Sequence, residues 1–412
     1  MRVRYQTARC RNGMRVALAH LPESECVAYS LHLPVGGRHD PAGRAGLAHF
    51  LEHLSFKGTA TRDARDLSFE IENAGAGIDA FTCEDETAYE ARGDAETLPK
   101  LVEILADMLW HSTYPPGEIE LEGEVIAEEI LMYRENPSDH IGDLLSAATW
   151  APHPLGEPIT GTEDTLARID RPAILDFAAT HHRRRDLVIA VAGPYDMAEV
   201  LELVDAVVPE ATNPPPPPVP APPPDGPRER AEIRDTHQLQ FALAHRGFGR
   251  RDPRRHALML LSMILGEGSS SRLFQSLREE RGLCYQVDCQ TNLFEEAGTL
   301  EIHAGLDPEA AEEAREVIDA ECRDLVANGP RADELARAKR LATSSNRAAM
   351  ESTASHASWI ARALLDHGRV VTPAEALAEL DAVTPDQVRA VARQIFQPLN
   401  RATAEIRGPE TG

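Results

Sequence analysis

From Tyr29 to Val35 large apolar and smaller or polar residues alternate (Tyr-Ser-Leu-His-Leu) before the chain reaches Gly-Gly-Arg-His-Asp-Pro. That pattern predicts a strand running into a turn. Phe241 to Pro253 repeats it, so that Gly37-Arg38-His39-Asp40-Pro41 corresponds to Gly249-Arg250-Arg251-Asp252-Pro253. A helical period follows each turn. Thr87–Ala91 and Thr299–Ala304 read as strands, each passing through an aspartate into an Ala/Glu/Leu-rich helix, Leu98–Trp110 and Glu309–Val326. The halves also end alike: Asp176–Gly193 and Val391–Gly408 each give helix, strand and turn over the same length. Strands and helices mixed in this way predict an α+β fold of two similar α/β-sandwich halves, and the shared Gly-Arg-x-Asp-Pro points to a duplication.

Between the halves lies Asn213–Pro227, with five consecutive prolines from Pro214 and three more from Pro222. Proline donates no backbone hydrogen bond, so an extended polyproline tether is expected here. The predicted division is 1–212, a linker at 213–228, and 229–412. A chain of 412 residues exceeds what one core of roughly 250–300 residues holds, which agrees with two domains.

Composition narrows the chemistry. A net charge of -25 argues against nucleic acid as a partner, because phosphate binding needs a basic surface. No stretch approaches the roughly 18 apolar residues of a membrane span. Residues Met1 to His20 lack the apolar run of an export signal, so the six scattered cysteines, none in a Cys-x-x-Cys pair, are expected as reduced thiols in a cytoplasmic protein.

The helix after Pro41 carries His49-Phe-Leu-Glu52-His53. Histidines four apart share a helix face, so both imidazoles can reach one metal ion. Glu52, on the adjoining part of that face, can take a proton from water at the metal without occupying the open coordination position. This is the inverted zincin spacing, H-x-x-E-H. Leu47, Phe50, Leu51, Leu54 and Phe56 bury the helix, and buried histidines need partners that a metal supplies. In the second half the same register holds Leu261, Ile264 and Leu265, so the polar trio is particular to the first half. A third ligand is expected from the acidic helical run Glu118–Ile130, where Glu122 and Glu129 lie two turns apart on one face. Spacing alone leaves Glu128 as an alternative to Glu129.

The run His49 to Thr59 (HFLEHLSFKGT) resembles the pitrilysin family of inverzincin zinc peptidases, the family of mitochondrial processing peptidase and insulin-degrading enzyme. The resemblance implies one zinc ion per chain, with Glu129 as the third ligand beside His49 and His53, and Glu122 as a supporting glutamate. It extends to Ser269–Tyr285, implying that Arg278 and Tyr285 contact the substrate, and to Asp79-Ala80-Phe81-Thr82. That segment is similar to the edge strand to which the family adds its substrate peptide. Asp79 stands where the family usually has asparagine, which bears on charge preference. Gly75-Ala-Gly77 before it supplies a turn.

The chain length resembles the dimeric bacterial branch, whose chains pair to enclose a clam-shell chamber. The expected function is therefore zinc-dependent endopeptidase hydrolysis of peptides or unfolded precursor and leader segments, with Glu52 as general base. The expected partner is a second copy or a related subunit lacking zinc ligands. The rival reading is a non-catalytic peptide-binding or structural subunit of such a pair.

Overall fold

In the inner strands residues alternate by size as much as by polarity. Val16 and Leu18 of one strand, Val27, Tyr29, Leu31 and Leu33 of the next, and Ile189 and Val191 of a third point to a core shared with several helices. Ala17, Ala19, Ala28, Ala190 and Ala192 line the opposite face of the same strands. A sheet built this way is covered on both sides, with one thick core layer and one face that a helix approaches closely.

The computed structural model describes residues 3–215, 220–221 and 223–409. Part of the extended geometry expected for the proline-rich tether falls at 216–219 and 222, outside the described residues. The chain forms two compact units. The first contains a six-stranded sheet of β1 (Arg4–Arg9), β2 (Arg15–His20), β3 (Cys26–Leu33), β4 (Gly77–Thr82), β5 (Thr87–Asp94) and β6 (Val188–Gly193), in the order β1-β2-β6-β3-β5-β4. The β2–β6 pair is parallel and the others are antiparallel.

The second unit contains β7 (Arg228–Ile233), β8 (Leu239–Phe248), β9 (Cys284–Leu293), β10 (Ala297–Leu306) and β11 (Arg401–Arg407), in the order β7-β11-β8-β10-β9. Its one parallel pair is β7–β11. Without β1, the first sheet has the same order and the same strand directions as the second. The repeat in the sequence is thus a repeat in topology, and two α+β halves of mixed sheet are what the chain forms. Expected elements fall close to their places: the helices are Leu98–His111 and Ala311–Asn328, and the strand expected within Asp176–Gly193 is β6.

The two units do not follow the linear division at 213–228. One takes in the chain through Ile130, the stretch from Pro158 to the proline-rich segment, and Asn346–Pro373; the other takes in Leu131–Glu157 and the rest. The helix Thr353–His367 lies after the tether, yet its Ala357, Ile360, Ala361 and Leu364 cover the alanine face of the first sheet. The helix Pro137–Trp150 lies before it, yet Ile141, Leu145 and Ala148 cover Ala242, Ala244, Ala402 and Ala404 of the second sheet. Each half lends one helix to the other's sheet. Helical period says that a helix has an apolar face but not which sheet that face covers, so the exchange is invisible in the pattern.

All six cysteines are free thiols. Among the described residues no helix is long and apolar enough to cross a membrane.

Candidate metal centre

The aspartate of the repeated Gly-Arg-x-Asp-Pro motif starts the helix Leu47–Leu54. Asp40 accepts hydrogen bonds from the backbone N–H groups of Gly46 (2.7 Å), Leu47 (3.1 Å) and Ala48 (2.9 Å), satisfying donors that a helix N-terminus leaves open. Gly46 itself sits at φ +97°, and a Cβ there would meet the Thr160 carbonyl oxygen at 2.6 Å, so the entry to this helix requires glycine. In the second unit Asp252 accepts from the Arg254 N–H in the same way ahead of the helix Arg255–Gly266. The motif fixes where each helix begins, and hence the register of what it carries.

Leu47, Ala48, Phe50, Leu51 and Leu54 bury one side of the first helix. The other side presents His49 and His53, whose ring centroids are 4.5 Å apart. Against them lies the helix Pro116–Glu135, anchored in the same core by Ile126 and Ile130. Its Glu129 places Oε2 3.8 Å from both His49 Nε2 and His53 Nε2, while Glu128 is exposed. Among the described residues these three form the one group of histidine, cysteine or carboxylate side chains able to hold a metal ion, their donor atoms all within 4.8 Å of one another.

Two imidazole nitrogens and a carboxylate oxygen are a donor set that zinc takes, leaving a fourth position open. At 3.8 Å the three are too far apart to hydrogen-bond each other, so their lone pairs face a common space. His49 supplies a further test of fit. Burial, with the nearby His53, pushes it down to about 4, so its ring is neutral, and its Nδ1 is buried with no hydrogen-bond partner. A neutral, largely unsatisfied buried imidazole is costly unless a ligand takes its other nitrogen.

Behind this trio stands a second layer. His53 Nδ1 is 2.9 Å from Glu122 Oε1, and the other Glu122 oxygen lies 2.6 Å from Lys57 Nζ. Burial raises the Glu122 carboxyl, but the bonds from Lys57 and His53 outweigh it and hold the group below its ordinary range. An anionic Glu122 fixes the proton of His53 on Nδ1 and leaves Nε2 as the donor facing Glu129. Glu122→Gln is therefore expected to weaken metal binding by about 10–100-fold without unfolding the protein. Metal titration with circular dichroism on the same sample checks both parts.

Glu52 is not one of the three donors, although His53 and Glu129 both lie close enough to act on its charge. It accepts a hydrogen bond from the Thr82 hydroxyl at the end of β4. Burial raises its carboxyl above the usual range, against the pull of Thr82 and His53, and the charges of Asp79 and Glu129 add to the rise. Of the expected edge-strand contacts, Asp79, Ala80, Phe81 and Thr82 all lie in β4, at the end of the first sheet and paired only with β5. Sequence reasoning marked Thr82 as a substrate contact and missed its bond to Glu52. It missed the role of Lys57 altogether, although Lys57 stands inside the run that carried the resemblance.

Arg278 and Tyr285 belong to the second unit. Arg278 lies in a π-helical turn, Phe274–Glu279, with its guanidinium 4.9 Å from the Phe274 ring centroid and 5.5 Å from that of Tyr285. Tyr285, at the start of β9, is 75% exposed. The structure brings these two together and presents the tyrosine to solvent.

Residues 15–163 match the insulinase family (peptidase family M16), and residues 168–342 match the domain described as the peptidase M16 inactive domain. The uncharacterized zinc protease YmxG of Bacillus subtilis is 32% identical over 395 residues, 94% of each chain. The uncharacterized zinc protease SCO5738 of Streptomyces coelicolor is 33% identical over 405 residues, 96% of this chain and 88% of its own. Among solved structures, a protease from Helicobacter pylori matches with a TM-score of 0.92 at 22% identity, covering 98% of this chain and 99% of that one. A Pseudomonas fluorescens structure described as a peptidase M16 inactive domain gives 0.91 at 19% identity, covering 98% of each. At those identities the structural matches speak to the fold.

Proposed function

The chain belongs to the insulinase family of peptidases, M16, and from that premise we propose that it is a zinc-dependent endopeptidase acting on peptides and unfolded precursor or leader segments. The observation that carries this reading is the convergence of His49, His53 and Glu129 beside a separately held carboxylate, Glu52. His49, His53 and Glu129 hold one zinc ion, which when bound supplies a Lewis acid for the peptide carbonyl and lowers the pKa of water. Glu52 takes the proton from the attacking water and passes it to the departing amine; its raised carboxyl suits both halves of that exchange. Glu122 keeps His53 oriented. The free edge of β4, Asp79–Thr82, aligns the peptide as an added strand. Arg278 and Tyr285 are assigned to the substrate backbone or the carbonyl oxygen on which negative charge develops.

The match of residues 168–342 to the inactive domain begins late in the first half and takes in the second-half helix in which Leu261, Ile264 and Leu265 replace the polar trio. A working assembly is accordingly proposed to need only one such centre per chain, in the first unit. The partner is a second copy or a related subunit lacking the ligands, in the cytoplasm of a bacterium. A non-catalytic peptide-binding role is the alternative, supported by that same inactive-domain match and opposed by the full set of donors.

Metal content and peptide cleavage on the purified chain separate the two. About one zinc per chain is expected, with cleavage abolished by a chelator and restored by zinc. Glu129→Ala should lose most of the metal, and Glu128→Ala should keep it. Retention of metal by Glu129→Ala would overturn the ligand assignment, and zinc without cleavage of any peptide would leave the binding role.

A further inference from the structure

Residues 36–40 hold two parts of the candidate site at once. At one end Asp40 caps the helix Leu47–Leu54 and so sets the register of His49, Glu52 and His53. At the other end they lie against residues 83–86, the turn that joins β4 to β5. The Gly37 N–H donates to the Cys83 carbonyl (3.0 Å), and the Arg38 N–H to that of Glu84 (3.1 Å). A Cβ on Gly36 would collide with the Cys83 carbonyl oxygen, so this close approach of two backbones requires glycine. The Arg38 guanidinium then reaches the Asp85 carboxylate at 2.9 Å, and both side chains are buried.

Cys83 directly follows Thr82, the residue whose hydroxyl donates to Glu52. Across the turn, Thr87 donates its hydroxyl to the Val35 carbonyl (2.8 Å) and sits 3.3 Å from the Thr82 hydroxyl. Glu52 is therefore held twice. Its backbone is registered by the Asp40 cap, and its carboxyl by a strand end that the Arg38–Asp85 pair ties down. The second unit repeats the backbone part of this clamp: a Cβ on Gly249 would collide with the Glu295 carbonyl oxygen, and the Arg250 N–H donates to the Phe294 carbonyl (2.8 Å). The charges differ. None of Arg250, Arg251, Glu295 and Glu296 is buried, and the Arg251–Glu295 pair (2.8 Å) has side chains 47% and 41% exposed. A surface pair of that kind contributes little. A buried pair must offset the desolvation of both partners, so its use lies in fixing one arrangement more than in net stability. The half that carries Glu52 has the buried pair, and the half with Ile264 at that register has the exposed one.

We infer that Arg38, paired with Asp85, is a positioning residue for the base: through the turn at 83–86 and Thr82 it holds the Glu52 carboxyl where it reaches the attacking water. The inference rests on the reading of Glu52 as the base of a peptidase. A carboxyl displaced by about an ångström loses much of its effect on rate, while metal and substrate are bound as before. The expected signature is thus a defect in kcat alone.

The test is a double-mutant cycle on the full chain loaded with zinc. Arg38→Met together with Asp85→Leu removes the tie without stranding a buried charge, an exchange that folds commonly tolerate. Thr82→Val removes the hydroxyl from Glu52. Each change is expected to lower kcat about tenfold, with KM, zinc content and cooperative melting kept. Combined, they should be little slower than the slower of the two, because both act on one hydrogen bond. Effects that multiply to roughly a hundredfold would overturn the inference. So would wild-type kcat in the Arg38→Met, Asp85→Leu variant. Loss of zinc or of cooperative melting in that variant would also overturn it, by assigning the pair to the metal or to the fold at large. Amide exchange over residues 78–87 supplies a readout independent of cleavage: it should quicken in the same variant, and unchanged exchange would remove the clamp. A wild type that cleaves no peptide would sink the peptidase reading, and quickened exchange would then still show Arg38 holding the end of β4.

Discussion

Glu52→Gln is expected to lower kcat for peptide cleavage by about 10²–10⁴-fold with metal content unchanged, the range over which a positioned base contributes. The substitution keeps the shape of the side chain and an oxygen for the Thr82 hydroxyl to donate to. It leaves His49, His53 and Glu129 untouched, and it removes only the capacity to accept and return a proton. Because the carboxyl is buried and hydrogen-bonded, no neighbouring group stands ready to replace it: Asp79 is exposed on the opposite face of β4, and Glu122 is committed to Lys57 and His53. Steady-state cleavage together with zinc analysis of the same preparation decides the matter. Activity within tenfold of wild type would remove Glu52 as the base, and loss of zinc would show that the residue acts on the metal instead.

Cutting the chain in the proline-rich segment should abolish folding of both pieces when they are made apart. A fragment ending at residue 212 lacks the helix Thr353–His367, and the alanine face of its sheet, with Val188 and Leu21, then meets water. Burial of Ile360 and Leu364 alone is worth about 1.5–3 kcal/mol each, a large share of the roughly 5–15 kcal/mol that holds a domain. The fragment beginning at 213 loses the helix Pro137–Trp150 from its own sheet in the same way. Co-expression of the two pieces is expected to yield a soluble zinc-binding complex, whereas each alone should be insoluble or lack cooperative melting. A fragment 1–212 that melts cooperatively and binds zinc by itself would refute this.

What the sequence made legible follows from physical scale. Strand and helix identity, the duplication and the histidine pair are set by residues close together in the chain, whose periods and spacings are directly readable. The pairing of His49 and His53 with Glu129 crosses about eighty positions, and spacing narrowed it only to Glu128 or Glu129; family resemblance preferred Glu129, and helix geometry turns Glu128 outward to solvent. The bonds of Lys57 to Glu122 and of Thr82 to Glu52 depend on how a helix and a strand edge meet, which no local pattern records. The exchange of helices was hidden for a different reason. Both exchanged helices offer a mixture of alanine with leucine and isoleucine to sheets that offer chiefly alanine, so either helix suits either sheet by composition, and only the connecting geometry distinguishes them.

That exchange also orders events during synthesis. The unit bearing the candidate metal centre draws its last segment from Asn346–Pro373, so its sheet stays uncovered on one side until that segment has been made. His49, His53 and Glu129 leave the ribosome well before the helix Thr353–His367, so the sheet of their own unit is covered on its second face only after that helix has emerged. The metal-binding trio is thus made long before the unit that carries it can finish folding.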